Sequence, residues 1–443
     1  MATEKMTKYR WAICALIFFA TTINYVDRSV ISFLKSTFTE QLHWTDIDYA
    51  NVEITFKIFY AIGLLGAGRL IDRLGTKFGY ALSAFLWSIS GICTALVNTV
   101  VGFQIVRGAL GLSEAGNFPA AVKTVAEWFP RKERALATGI FNSGANIGAI
   151  ITPLTVPFIL IHWGWQWAFI ITGILGLIWV VFWIMLYEIP RRKKGISPAE
   201  LILIESDKEA EKGSATDDDQ PKQSWAQLLT KRQTWAFALG KLLTDPIWWF
   251  YLFWLPDFFE SIYHIKITAA SWPVAVVYIL STFGSVGGGW LPLYLINDKG
   301  WPVRKARKVS MLIYAFCVVP IVFALLLSQI NMWLAVGVIG LAAAAHQAWS
   351  ANILTTVSDM FPARSTASVA GIGGMFGAVG GILLSQFVQK DLFTHYRAIG
   401  QIYTAYYIMF AVCASAYLCA WLIMHFLIGK ERPMSVVSGR SRG

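Results

Sequence analysis

Nine ionisable side chains stand inside stretches of this chain that are otherwise suited to hydrocarbon. "INYVDRSVIS" (23–32) sets Asp27 beside Arg28, with "WAICALIFFATT" before them and "VISFL" after. Glu53, Lys57, Arg107, Glu114, Lys123, Asp245 and His346 fall within later apolar runs. A charge at the centre of an inserted helix costs about 2.5–3.5 kcal/mol on insertion scales, so such residues mark paths for ions or substrates. Carboxylates there can carry protons, and guanidinium groups can grip an anion. Arg28 is the candidate ligand for a substrate carboxylate, because a guanidinium fork offers two parallel hydrogen bonds. Arg107 and Glu114 are seven residues apart, hence on one helix face and about 10 Å apart along its axis. That separation predicts that each meets a charge from the first apolar run rather than the other. Lys57 lies four residues after Glu53 and one turn before Tyr60. It reads equally as a second cation for a substrate and as the partner of Glu53. For Asp27 and Arg28, and likewise for Arg107 and Glu114, the plainer alternative is a mutual or neighbouring salt bridge that only fixes helix packing.

The elements that position these groups follow from composition. Of 443 residues, 56% are hydrophobic and only 14% charged, against roughly 25% charged in a soluble domain; the mean hydropathy is +0.54. Apolar runs of about 20 residues, the length needed to span a bilayer, recur throughout. Twelve helices, α1–α12, are predicted over 11–35, 47–70, 77–98, 101–126, 135–160, 165–187, 233–259, 269–296, 308–328, 333–357, 366–389 and 399–428. The net charge of +11 does not point to nucleic acid, because the basic residues crowd into loops on one side: "GRLIDRLGTK", "PRKERA", the stretch from "RRKK" to "LLTKR", and "KGWPVRKARK". The opposite loops carry only Lys35, Lys266, Lys390 and Arg397. Basic loops stay cytoplasmic, so both termini are expected there. The basic N-terminus leads into a run too long for a cleaved signal, which reads as α1 itself. The five cysteines lie in apolar segments without C-x-x-C spacing and predict no disulfide framework or metal site.

The chain repeats itself. "EWFPRKERALATGIFNSGANIGAI" (127–150) matches "DMFPARSTASVAGIGGMFGAVGGI" (359–382) without a gap at an offset of 232, pairing Pro130 with Pro362 and Gly139 with Gly371. The same offset lays α4 on α10 and α5 on α11. The expected fold is therefore an all-α membrane protein of twelve transmembrane helices in two pseudo-symmetric six-helix bundles. Residues 1–190 form the first, 191–232 a cytoplasmic linker and 233–443 the second. In the linker, "SPAE" (197–200) is a capping-box pattern before a short surface helix, and "GSATDDDQPKQS" reads as flexible. Parallel repeats let one bundle rock against the other around a midplane site. His346 aligns with Glu114 at the repeat offset and reads either as a titrating group or as a hydrogen-bonded core residue. Asn146, Gln347 and Asn352 are plausible partners for substrate hydroxyl groups, and Trp248 and Trp249 could stack on a substrate ring or simply fill their helix.

Between α2 and α3, "GRLIDRLGTK" (68–77) resembles the signature loop of the major facilitator superfamily. Gly68 permits close helix contact and Gly75 a tight turn. Asp72 can face a helix N-terminus or a basic residue across the bundle interface. The resemblance implies that this loop, with Arg73, latches the outward-open state. "NYVDRS" in α1 and "RGALGLSEAGNFPA" (107–120) in α4 resemble the anion:cation symporters; "LLTDPIWWFYLFWLPDF" (242–258) and "AHQAWSANILTTVSDMFP" (345–362) resemble the hexuronate transporters among them. The resemblance implies that Asp27 and Glu114 carry protons, and that Tyr60 helps to hold the substrate carboxylate. Proton affinity of a carboxylate rises with burial and falls beside a guanidinium. Arg107 is the arginine whose contact could be made and broken during rocking.

The expected function is proton-coupled import of a hexuronate such as glucuronate or galacturonate. The alternatives are another sugar acid such as galactonate or, in another class, a transporter-derived sensor or channel. An anion entering against an inside-negative potential costs about 2.3 kcal/mol per 100 mV, which one proton cancels. No H-E-x-x-H, G-x-S-x-G or Walker-type glycine loop occurs, so neither an enzyme nor an ATP-driven pump is expected. The partners implied are a small anionic sugar acid, protons and the lipid bilayer. No nucleic acid and no cofactor are expected, and the chain is expected to act as a monomer in a bacterial inner membrane.

Overall fold

The computed structural model describes residues 6–210, 224–263, 271–384 and 390–428. Among these the secondary structure is helical throughout. Nine helices are each long and apolar enough to cross a membrane by length and composition. Most of "GSATDDDQPKQS", the end of the expected α11, and Lys266 lie outside the described residues.

The first bundle consists of α1 (Tyr9–Phe33), α2 (Asp46–Leu74), α3 (Thr76–Thr94), α4 in two pieces (Val100–Glu114 and Asn117–Trp128), α5 (Arg131–Trp163) and α6 (Trp165–Leu186). The second consists of α7 (Arg232–Tyr263), α8 (Ser271–Asn297), α9, α10 (Met332–Met360), α11 (Ala363–Leu383) and α12 (Ile402–Ile428). α9 runs from Val303 to Ile330 through a 3₁₀ turn at Val319–Phe323. Local chemistry sets the ends. Thr45 and Asp48 form a reciprocal capping box at the start of α2. Gly75, at φ 80°, makes the turn into α3. Where α1 was expected to reach 35, it stops at Phe33, because the chain turns into a short helix, Lys35–Gln41. That helix buries Phe38 among Trp44, Phe103 and Trp165.

The internal repeat is visible in the backbone. Pro130 and Pro362 precede α5 and α11 with φ, ψ of −62°, 150° and −62°, 151°. The halves then meet through two matching crossings, α2 on α11 and α5 on α8. A Cβ on Gly68 would lie 2.3 Å from the Ala367 carbonyl oxygen, and one on Gly289 2.2 Å from that of Ala135. One on Gly371 would lie 2.2 Å from the Leu64 oxygen, and one on Gly139 2.3 Å from that of Ser285. Ala135 and Ala367 keep the 232-residue spacing of Gly139 and Gly371. Small residues bring membrane helices together where no hydrophobic drive between them exists.

The linker departs from the capping-box expectation. Ser197 does cap the helix Pro198–Ala210 by accepting from the Glu200 N–H at 3.2 Å. Glu200 does not return to Ser197. Its carboxylate accepts from the backbone N–H groups of Tyr9 (3.0 Å) and Arg10 (3.1 Å) and pairs with the Arg10 guanidinium at 3.0 Å. It caps α1, whose first N–H groups have no intrahelical acceptor.

Candidate functional site

α1, α2, α4, α5, α7, α10 and α11 enclose a small cavity between the halves. Arg28 enters it from α1. Its Nε and Nη2 both lie 3.0 Å from Oε2 of Glu114. Glu114 is fully buried, at 0% exposure, and its Oε1 has no hydrogen bond among the described residues. It ends the first piece of α4, where the helix is interrupted at Ala115–Gly116. The Arg28 guanidinium carbon sits 4.5 Å from the ring centre of Tyr60, 5.0 Å from Tyr25 and 5.3 Å from Phe56. Aromatic faces attract a cation without neutralising it, so Arg28 keeps its charge for an anion.

Asp27 points elsewhere. Successive residues of a helix are turned by about 100°, and Asp27 faces α3, where a Cβ on Gly91 would approach its Oδ1 to 3.9 Å. It is buried and neither oxygen is hydrogen-bonded among the described residues. The ion pair between Asp27 and Arg28 weighed from their adjacency does not form among the contacts described. Arg107 and Glu114 do not pair with each other either, but the expectation that each meets a charge from α1 holds only for Glu114. Arg107 donates from Nη2 to the backbone oxygen of Arg28 (3.3 Å), and its nearest carboxylate is Glu53 of α2, at 3.9 Å. It is 1% exposed and is not among the residues that line the cavity. Lys57 pairs with Glu53 at 3.6 Å and lies 5.6 Å from the centre of the Trp249 ring. The first contact belongs to its reading as the partner of Glu53; the second sets the ammonium beside a residue that lines the cavity.

The opposite wall comes from the second half. Trp248 lies flat on His346, with ring centres 5.1 Å apart and planes within 8°. The His346 Nδ1 is hydrogen-bonded to the Tyr417 hydroxyl, which makes it a satisfied core group facing the cavity. Gln347 closes the floor: it accepts from Asn142 Nδ2 at 2.7 Å and donates to Asn146 Oδ1 at 3.0 Å. Asn146 itself is fully buried. Asn352 is not in the cavity. Its Nδ2 donates to the backbone oxygens of Gly288 (2.7 Å) and Ala348 (2.9 Å), which ties α10 to α8.

Among the cavity residues that the sequence reading passed over, Tyr25, Asn142, Lys241 and Ser350 carry polar side chains. Lys241 pairs with Asp245 at 2.6 Å. The i, i+4 spacing from the already noted Asp245 is the signal that would have found it.

The loop at Gly68–Lys77 lies at the end of the crossing where the halves are tied. Asp72 accepts from Lys123 Nζ (2.9 Å) in its own half. Across the interface it accepts from the backbone N–H (2.8 Å) and hydroxyl (2.5 Å) of Ser368. Arg134 donates to the Ser358 carbonyl oxygen, and Asp359 receives Arg134 at 3.7 Å and Arg307 at 2.9 Å. Arg73 is exposed at the last turn of α2.

Two bundles crossing through glycine, tied at one end and holding an arginine–glutamate pair at a central cavity, define a membrane carrier and not an enzyme. The chain belongs to the Major Facilitator Superfamily, whose family profile matches residues 17–385, and it is a multi-pass membrane transporter. It is 32% identical over 373 residues to the hexuronate transporter of Escherichia coli (strain K12), covering 84% of this chain and 85% of that one. It is 34% identical over 289 residues to the galacturonate transporter of Dickeya chrysanthemi, covering 65% and 83%. Among solved structures, the proton:xylose symporter XylE shares the fold with a TM-score of 0.75 at 17% identity, covering 94% of this chain and 96% of that one.

Proposed function

We propose that the protein is a proton-coupled symporter that imports a hexuronate, such as glucuronate or galacturonate, by alternating access across a bacterial inner membrane. Both termini would be cytoplasmic. The reading rests on one observation above the others: Arg28 faces the cavity while its Nε is hydrogen-bonded to a buried carboxylate, Glu114, with Nη2 in ion-pair contact with the same oxygen. A proton arriving on Glu114 cancels its charge and frees the Arg28 guanidinium for the substrate carboxylate. Substrate and proton then bind together, because each removes the obstacle to the other. Tyr60 flanks the anion, Trp248 and Trp249 offer a face to the ring, and Gln347 with Asn142 offers amides to hydroxyl groups. Asn146 and Asn352 stand behind this surface and support it. Asp27 is a second proton carrier, and Arg107 sets the field around both carboxylates. Lys57 acts through Glu53. Gly68, Asp72, Arg73 and Gly75 form the latch of the tied end; the basic charge of the neighbouring loops supports a cytoplasmic position for it.

The names of the hexuronate and galacturonate relatives support the substrate class; another sugar acid, such as a galactonate, fits the same carboxylate chemistry. The deciding experiment is uptake of labelled glucuronate into proteoliposomes with and without an imposed pH gradient. Accumulation that follows the gradient is expected; passage that ignores it would remove proton coupling. A panel of competing uronates and aldonates tests the substrate.

A further inference from the structure

At the tied end, the second half contains a larger cavity of about 520 Å³, between the ends of α7, α9, α10 and α12. Its volume falls within the range of small-ligand sites, roughly 300–1,000 Å³. Its charge is lopsided. Arg304, Arg307 and Lys308 line it from α9, and Arg131 reaches it from the first half. The carboxylate among its lining residues is Asp359, which already receives Arg307 and Arg134.

Arg307 is the informative residue. It is 3% exposed. Its Nε bonds Asp359 and its Nη2 donates to the Arg131 carbonyl oxygen at 2.9 Å. Its Nη1, also buried, has no hydrogen-bond partner among the described residues. A buried donor left unpaired on a charged group is costly, and this one lies on a residue that lines a cavity rich in cations. A group that brings several oxygens would satisfy it, and a guanidinium fork matches a phosphate. The remaining walls include Met311, Trp421 and Met424, which leaves room for an apolar tail behind the charged group.

We propose that this cavity binds a phosphate group, supplied either by an anionic phospholipid or by a soluble phosphate. Because Arg307 also donates to Arg131 of the first half, an oxyanion seated there braces the tie between the bundles. The site is separate from the central cavity, so its failure would leave the transport proposal standing.

The test uses the purified full chain in detergent. Thermal unfolding and native mass spectrometry are followed during titration with phosphatidylglycerol, with phosphatidylcholine and with inorganic phosphate against chloride at matched ionic strength. A saturable rise in unfolding temperature of several degrees with phosphatidylglycerol alone assigns a lipid headgroup; the same rise with inorganic phosphate assigns a soluble ligand. The R304Q/K308Q variant should weaken the response at least tenfold. Gln233→Glu, which adds a negative charge to the lining with nearly unchanged shape and keeps every cation, should do the same. No saturable response to either phosphate source, or a response that both variants leave unchanged, overturns the proposal.

Discussion

Arg28 donates from Nε to one oxygen of Glu114, with Nη2 3.0 Å from the same oxygen, and leaves the other oxygen without a hydrogen bond. That asymmetry separates the roles of the two residues. Glu114→Gln keeps the shape and abolishes the charge, so Arg28 is permanently released to substrate. Exchange of labelled for unlabelled glucuronate should continue, whereas accumulation driven by a pH gradient should fall to the passive level. Charge-assisted hydrogen bonds contribute about 1.5–3 kcal/mol each, so Arg28→Ala should weaken substrate binding by at least tenfold. Undiminished accumulation by the glutamine variant, or unchanged affinity in the alanine variant, removes the pair from the coupling step.

The glycine crossings make a steric prediction. A Cβ at Gly68 would stand 2.3 Å from the Ala367 carbonyl, far inside van der Waals contact, and the obstacle is backbone. Gly68→Val should therefore hold the halves apart at this end without disturbing either bundle. Cysteine-labelling at Ser358, a residue of the tied end, should rise severalfold in this variant, while the unfolding temperature changes little. Asp72→Asn should act in the same direction, because it weakens the bond to Ser368 and leaves Lys123 without its buried counter-charge. Equal labelling in wild type and variants would show that the crossing does not control access.

The spans were legible because hydrocarbon imposes a length and a composition, and the halves because Pro130 and Pro362 start α5 and α11 in the same way. Side-chain partners were less so. Adjacency left an ion pair between Asp27 and Arg28 open, but helical rotation sends one to α3 and the other to the cavity. Arg107 meets Glu53 because α2 packs on α4, and no spacing along the chain carries that fact. The interruption of α4 at Ala115–Gly116 was legible: Pro119 has no N–H to give the Ala115 carbonyl four residues earlier, and its ring crowds that oxygen. Glu200 looked like half of a local capping box; a distant helix end with free N–H groups competes for the same carboxylate and wins.

Outside the spans, Glu188 carries a pH prediction. The ammonium of Lys77 lies 3.0 Å from its Oε2, and this bond, helped by the Ile189 N–H, holds the carboxyl below the usual carboxylate range. A depressed folded-state value means that the contribution is complete above the unfolded value of about 4.3 and is lost as the pH falls through the lowered one. Lys77→Met removes the contribution at all pH values. The difference in unfolding temperature between wild type and variant should be constant from pH 6 to about 5 and shrink below about 4.3. Both side chains are partly exposed, so the difference itself should be small, as for other surface pairs. A difference that grows on acidification would contradict the pairing.

Lys241 and Asp245 form the second half's own charge pair at the cavity, at 2.6 Å and one helical turn apart. Each is enclosed enough that its partner's removal leaves a charge with poor solvation. Breaking a buried pair typically costs about 3–5 kcal/mol, whereas replacing both members is often close to neutral. Lys241→Gln and Asp245→Asn should therefore each lower the unfolding temperature, and the double variant should recover most of the loss. The coupling energy from this cycle should reach at least about 1 kcal/mol, as for residues in direct contact. Uptake supplies the second readout. If the pair only holds α7 in shape, glucuronate uptake should recover with stability in the double variant. If the ammonium faces the substrate, uptake should remain at least tenfold reduced after stability has returned. The cavity lining favours the second result, since Lys241, Asp245 and Arg28 border the same space.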